Sequence, residues 1–430
     1  MRLENTSGRD LACWIEGASA KVVVKAGDAA MVPAPVGEVA CEGVGVRGLA
    51  VDADGPDALL ILNGQQTRSL SALMYSYIPS GSGGFAALSR HIVTTFQAAN
   101  PEILLNVSYT PRVNRYDFAT LEKTLAADEY HVMEIDTLFL GHLAGKGLVV
   151  PPDGLPDVIP VARAAVTVGG KVQAVPTWLC TEVLHSPASA PIAAADIAKL
   201  PDTAGDFGGR WFPLQSFIKA DISRSKDCQA SLSAGPPDPG QLDRLAKLIS
   251  ACPPSTPGGR CTKEGFSTAL KGGAKAVMGF TENARDLGMP GKELTAAPVS
   301  WGRCTAPILY ADALVVSRAA CRTETCLKDA KAFQHLMAGP EMAAYTALAR
   351  DEPTGSPPRW LLSASRAFWD RGDVLATPLY REFRRIVGDP RARAFPNAIS
   401  RDRYKELSAS LCASLRGRVR DYPCKPLPKD

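Results

Sequence analysis

Long apolar runs, clustered charge, metal-ligand pairs and nucleotide-binding glycine patterns are all missing from this 430-residue chain. No apolar stretch approaches the ~18–20 residues of a membrane-spanning helix, so membrane insertion is not expected. The N-terminal stretch lacks a basic start followed by an apolar segment, so no signal peptide is expected in the chain as it stands. The formal net charge is only +4 and the basic residues are scattered, which argues against a nucleic-acid surface. His91, His131, His142, His185 and His335 are dispersed and no Cys-x2-Cys pair occurs, so no resident metal is expected. A Gly-x-Ser-x-Gly elbow is absent, which excludes the usual α/β-hydrolase nucleophile. Pro79 to Gly84 is glycine-rich but has neither a Gly-Lys-Ser/Thr ending nor dinucleotide spacing, and it reads as a plain strand-to-helix loop. No cofactor is expected.

What is present is an ordinary globular balance, 46% hydrophobic and 21% charged, in a chain long enough for two or three folding units. The eleven cysteines, at positions 13, 41, 180, 228, 252, 261, 304, 321, 326, 412 and 424, are the more telling feature. Many lie among turn formers, where disulfides of extracytoplasmic proteins are anchored. A secreted or periplasmic location follows as the expectation. An odd count leaves at least one thiol over. Cys180 stands apart because it ends the apolar, strand-like run Val175-Pro176-Thr177-Trp178-Leu179-Cys180. Spacing alone leaves two readings open for it, a buried inert thiol or a nucleophile. Cys13 with Cys41, Cys321 with Cys326 and Cys412 with Cys424 are candidate pairs by proximity in the chain, although connectivity does not follow from sequence.

Residues 1–66 read as a small all-β, sandwich-like module, with short runs such as Lys21-Val22-Val23-Val24-Lys25 and Leu59-Leu60-Ile61-Leu62 between turn residues. From residue 70 to 430 strands alternate with helices. Leu73 to Ile78 reads as a strand; Phe85, Leu88, Ile92 and Phe96 share one helical face; Ile103 to Tyr109 is the next strand and Leu121 to Ala126 the next helix. Apolar patterns return at Val132 to Leu140, Ala276 to Phe280 and Ile308 to Val316, and helices dominate after Thr325. The alternation predicts parallel β-α-β units of an α/β domain. The Pro- and Gly-rich segment 200–262 reads as an elaborated, disulfide-stapled loop region.

Ligands of open α/β sheets sit beyond the carboxyl ends of strands. That rule selects Tyr75, Tyr77, Asp136, Cys180, Glu282, Tyr310 and Asp312. A cysteine nucleophile needs a base or a positive environment to form its thiolate. His185 is five residues from Cys180, but nothing around it matches a papain-like signature. With histidines scarce, Glu282 is the candidate proton acceptor, since a partly desolvated glutamate exchanges protons with a thiol. The competing role for Glu282 is that of a helix cap. Tyr75, Tyr77, Tyr116 and Tyr310 have ring faces able to hold a cationic heterocycle, or they pack half-buried. Trp178 reads as pocket wall or core.

Four segments carry a family resemblance. Leu73-Met74-Tyr75-Ser76-Tyr77-Ile78-Pro79 resembles the opening of the thiaminase I family, as does Glu134-Ile135-Asp136-Thr137-Leu138-Phe139-Leu140. Pro176-Thr177-Trp178-Leu179-Cys180 resembles the segment bearing that family's nucleophilic cysteine, and Lys275 to Glu282 its glutamate-bearing strand end. The resemblance spans roughly residues 70–400 in the right order, and leaves out the first 66 residues and much of 200–262. It implies a two-lobed type II periplasmic-binding-protein-like fold with a central ligand cleft. It also implies cleavage of thiamine, with Cys180 as nucleophile and Glu282 as its base. Tyr75, Tyr77, Tyr116, Asp136, Tyr310 and Asp312 would bind substrate, Asp136 and Asp312 by hydrogen bonds to the aminopyrimidine or by balancing the thiazolium. The partners would be thiamine and a small nucleophile, an amine, pyridine or thiol, acted on by a monomer. The alternative is a non-catalytic extracytoplasmic receptor for thiamine or a related solute.

Overall fold

The computed structural model describes residues 2–15, 21–32, 37–41, 49–51, 59–81, 83–193, 195–196, 203–205, 218, 239–250, 265–300 and 306–419. Of the loop region expected at 200–262, residues 203–205, 218 and 239–250 are described, and they include the strand Thr203–Gly205 and the helix Pro239–Ser250 in place of loop; Cys228, Cys252, Cys261, Cys304 and Cys424 lie outside the described residues. The chain divides into two compact units. Unit 1 comprises Met1–Asp157, Val166–Thr177 and Asp312–Ser356, and unit 2 comprises Val158–Ala165, Trp178–Ala311 and Pro357–Asp430.

Unit 1 begins with seven short strands: β1 (Arg2–Asn5), β2 (Leu11–Ile15), β3 (Val22–Val24), β4 (Ala29–Met31), β5 (Gly37–Cys41), β6 (Leu49–Val51) and β7 (Leu59–Leu62). They form a three-stranded sheet ordered β4-β1-β7 and a four-stranded sheet ordered β3-β2-β5-β6. The alternation expected of half-buried strands is kept: Leu3, Leu11, Cys13, Val24, Cys41, Leu60 and Leu62 share one core. β7 is buried along its whole length because its other face, Leu59 and Ile61, packs into the α/β core. Cys13 and Cys41 sit directly opposite on β2 and β5 and are joined by a disulfide, as expected.

The α/β part of unit 1 follows the predicted alternation. β8 (Arg68–Leu73), helix α1 (Ala86–Ala99), β9 (Ile103–Ser108), helix α2 (Phe118–Ala126) and β10 (Val132–Asp136) succeed one another. β8 lies between β9 and β10 and is parallel to both. Leu88, Ile92, Val93 and Phe96 of α1 are buried, matching the apolar face read from the sequence. Gln97, on the same face, is tied down at both ends: Leu105 N donates to its Oε1 and its Nε2 donates to Ile61 O. Asp117 caps α2 by accepting from Thr120 N at 2.8 Å. The strand on the other side of β10 comes from far along the chain. The second half of β20 (Ile308–Ser317) pairs antiparallel with β10, with Asp136 opposite Asp312.

One boundary differs from expectation. The strand read at Leu73–Ile78 ends at Leu73, and Ser76 and Tyr77 form a turn. Met74 N still donates to Ser108 O at 2.7 Å, but the next amide, Tyr75 N, donates to the Glu134 carboxylate instead of a neighbouring strand. A side chain thus takes the bond that would have extended the ladder.

In unit 2, β15 (Glu182–Pro187) is paired antiparallel on both sides, with β18 (Ala276–Phe280) and β19 (Leu294–Ser300). The helix Pro378–Val387 starts with proline, where no intrahelical N–H is needed, and buries Leu379, Tyr380, Phe383, Ile386 and Val387. The chain changes unit within two strands: β14 (Val175–Cys180) does so after Thr177, and β20 after Ala311. Cys321–Cys326 form the second expected disulfide. Cys412 is disulfide-bonded, while its expected partner Cys424 lies outside the described residues.

Candidate active site

Cys180 is the last residue of β14, half-buried, and takes part in no disulfide. After Thr181, whose hydroxyl donates to Ile308 O at 2.8 Å, the chain continues into β15. The β15–β18 ladder pairs His185 with Val277, Leu184 with Met278, Val183 with Gly279 and Glu182 with Phe280. β18 ends at Phe280, opposite Glu182; Glu282 follows Phe280 by two residues, and Cys180 precedes Glu182 by two.

Glu282 leaves the strand in the 3-10 turn Thr281–Leu287. The turn's entry is bridged by Asn283, whose Oδ1 accepts from Phe280 N at 2.8 Å. The Glu282 carboxylate is half-buried and accepts from Thr281 Oγ1 at 3.3 Å. His185 is not placed to serve as base. Its side chain is fully buried, its Nε2 lies 3.0 Å from Phe280 O, and burial pushes its pKa down to about 4. It is a neutral core histidine. Trp178 is also core, buried opposite Ser363.

Unit 1 gathers five of the other candidates. Tyr75, Tyr77 and Tyr116 form an aromatic cluster with ring centroids 5.1, 5.3 and 6.1 Å apart, and the Tyr75 hydroxyl donates to that of Tyr116. Tyr75 is buried and Tyr77 is 47% exposed, so the cluster has both an anchored and an open member. Burial, with added repulsion from Tyr116, Asp312 and Asp136, holds the Tyr75 phenol well above its ordinary pKa and therefore protonated. Asp136 and Asp312 are cross-strand neighbours near this ring. Burial raises Asp136 to about 6, against the opposing hydrogen bond from Leu138 N at 2.8 Å. Tyr310 is separate: it lies in unit 2, is buried, and packs with Phe395 at 4.4 Å and Phe280 at 6.0 Å.

The raised pKa of Asp136 has a testable sign. A carboxyl whose folded pKa exceeds its unfolded value of 3.8 binds its proton more tightly in the native state, so stability falls as pH rises from about 4 to about 6. Asp136→Asn keeps an acceptor for Leu138 N and removes that loss. The variant is expected to gain about 1–3 kcal/mol over the wild type at pH 7.5 and little at pH 4. Urea unfolding at the two pH values measures this, and an equal shift at both would contradict the assignment.

Two charged residues escaped the sequence reading. Glu134 and Arg115 are both fully buried beside Tyr75. The signal for Glu134 was a lone carboxylate inside the apolar run Val132-Met133-Glu134-Ile135; Arg115, in a polar loop, gave none. Among the described residues no group of His, Cys, Asp and Glu is arranged to hold a metal ion.

No protein-family model matches the chain, and no curated protein matches it by sequence. Solved structures do match. Thiaminase I from Bacillus thiaminolyticus is 20% identical, with a TM-score of 0.62 over 81% of this chain and 99% of that one. Clostridium botulinum thiaminase I in complex with thiamin is 15% identical, with a TM-score of 0.60 over 81% and 99%. The maltose-bound MalE3 of T. maritima is 12% identical, with a TM-score of 0.59 over 82% and 95%. This chain therefore has the α/β fold that thiaminase I shares with periplasmic maltose-binding proteins, the type II binding-protein fold expected from the sequence, with a small β module preceding it.

Proposed function

We propose that the protein is a thiaminase I-like transferase that splits thiamine and passes its pyrimidinylmethyl group to a small nucleophile. The observation that supports this reading is that Cys180, in no disulfide, stands just before β15, whose ladder partner β18 leads directly into the turn bearing Glu282. Glu282 takes the thiol proton, and the thiolate adds to the electron-poor pyrimidine ring, forming a C–S bond. The added electron density expels the thiazole, breaking its bond to the bridging methylene. An amine, pyridine or thiol then attacks that methylene, and the cysteine leaves as thiolate to restore the ring. One covalent step thereby converts a difficult displacement into an elimination followed by an addition.

The tyrosine cluster and the Asp136–Asp312 pair supply what a flat cationic heterocycle requires: ring faces, carboxylates and a protonated phenol. Tyr310, packed with Phe280 and Phe395, is kept as a substrate-binding candidate. The disulfides Cys13–Cys41 and Cys321–Cys326 support a secreted or periplasmic location.

A receptor reading draws support from the equally good fit of maltose-binding proteins to the fold. Thiamine consumption in the presence of pyridine or aniline separates the two. Turnover with formation of the pyrimidinyl adduct is the expected result, and binding without consumption would leave only the receptor. Glu282→Gln is expected to slow turnover by about 100-fold or more without changing the unfolding midpoint, in the range typical of a lost proton acceptor. An unaltered rate would return Glu282 to a structural role in the turn.

A further inference from the structure

Arg115 and Glu134 are charged, fully buried and unused by the chemistry above. Both act on Tyr75. The Arg115 guanidinium lies over the Tyr75 ring, 5.5 Å from its centroid, and among the described residues its nitrogens make no hydrogen bond. Glu134 holds the same residue by its backbone, with Oε2 accepting from Tyr75 N at 3.0 Å. Its other oxygen accepts from Thr177 Oγ1 at 2.6 Å, on the strand that ends three residues later at Cys180. The two charges interact through space: burial pushes the Glu134 carboxyl up, and the hydrogen bonds from Thr177 and from Tyr75 N, followed by Arg115, oppose the shift, while Glu134 is the foremost charge holding the buried guanidinium protonated. A buried charge left alone costs several kcal/mol, so each residue requires the other.

We propose that Arg115 and Glu134 form a buried positioning pair that orients Tyr75 and, by cancelling each other's charge beside its ring, lets the tyrosine cluster accept a cationic heterocycle. The inference rests on the cluster being the ligand site of the proposed function. Its physical content is electrostatic. A guanidinium over the Tyr75 ring would by itself repel a thiazolium held by the cluster, and Glu134 offsets that repulsion. Loss of Glu134 alone therefore penalises a positive ligand and spares an uncharged ligand of the same shape. Loss of both restores neutrality.

The test is equilibrium binding of thiamine and of its analogue 3-deazathiamin, whose ring carries no fixed charge. Glu134→Gln preserves the shape and an acceptor for Tyr75 N. It is expected to weaken thiamine about tenfold and 3-deazathiamin less than about threefold, the size of one uncompensated charge at partly screened distance. Arg115→Met/Glu134→Gln is expected to bring the ratio of the two affinities back to the wild-type value. Thr177→Val removes one hydrogen bond without changing charge, and should leave that ratio unaltered. Equal weakening of both ligands by Glu134→Gln, or additive losses in the double variant, would overturn the proposal. Unfolding of the wild type, Glu134→Gln, Arg115→Met and the double variant in urea provides a readout independent of ligand: the double variant should be less destabilised than the two single effects combined. If the wild type bound neither ligand, the functional reading would fall, and the pair would stand or fall on that unfolding cycle.

Discussion

Cys180→Ser is expected to lower thiamine consumption by at least about a thousandfold while changing thiamine affinity by less than about threefold. Serine has nearly the shape of cysteine, so the end of β14 and its ladder are undisturbed. The hydroxyl is far less acidic than the thiol, and a carboxylate such as Glu282 cannot ionise it to a useful extent. The loss therefore falls on the chemical step, and the measurement is kcat against KM on the purified variant. A partner observation comes from labelling the unreduced protein with a thiol reagent and weighing it intact. One label, absent in Cys180→Ser, is expected, because Cys180 is in no disulfide and is half-buried at a strand end. A variant retaining wild-type turnover would remove covalent catalysis from the account altogether. Two or more labels on the unreduced wild type would show that Cys180 is not the singular thiol.

The second large effect concerns stability. Gly291→Ala is expected to destabilise the protein by about 3 kcal/mol, at the upper end of the cost of overpacking a core. A Cβ at Gly291 would come within 2.4 and 2.6 Å of the six-membered ring of Trp360. That indole has no room to yield. It is 2% exposed, and packs against Tyr380 at 5.3 Å and Phe383 at 6.3 Å. Its backbone is already in the left-handed region at φ 61°, which costs a bulky residue roughly 1–2 kcal/mol and persists only where the surroundings enforce it. Gly154→Ala is the control, since nothing lies within 4 Å of its added Cβ. Thermal unfolding should show Gly291→Ala melting several degrees lower and Gly154→Ala unchanged. Equal midpoints would mean that Trp360 repacks easily.

Much of this molecule was legible before any coordinates. Helix α1 was readable because Leu88, Ile92 and Phe96 repeat at helical spacing, a property of neighbours in the chain. β9 and β18 were readable as short apolar runs bounded by turns. Cys180 was marked by its odd place among the cysteines, and Asp136 by its position at a strand's carboxyl end. The strand read at Leu73–Ile78 failed where a distant side chain, Glu134, captured the Tyr75 amide. The surroundings of Tyr310 were not legible, because Phe280 and Phe395 come from segments 30 and 85 residues away along the chain.

The sequence by itself determined the alternation of strands and helices and the β module at the start, and it marked Cys13–Cys41 and Cys321–Cys326 as candidate pairs and a set of residues as candidates for chemistry. Each of these depends on local periodicity, turn composition or proximity along the chain. Tertiary structure alone decided which of those residues meet. It set Asp136 opposite Asp312 across β10 and β20, paired β15, which follows Cys180, with β18, which precedes Glu282, and buried Arg115 and Glu134 beside Tyr75. Register and burial arise from pairing between residues more than ninety positions apart in two of these cases, and no local pattern encodes them.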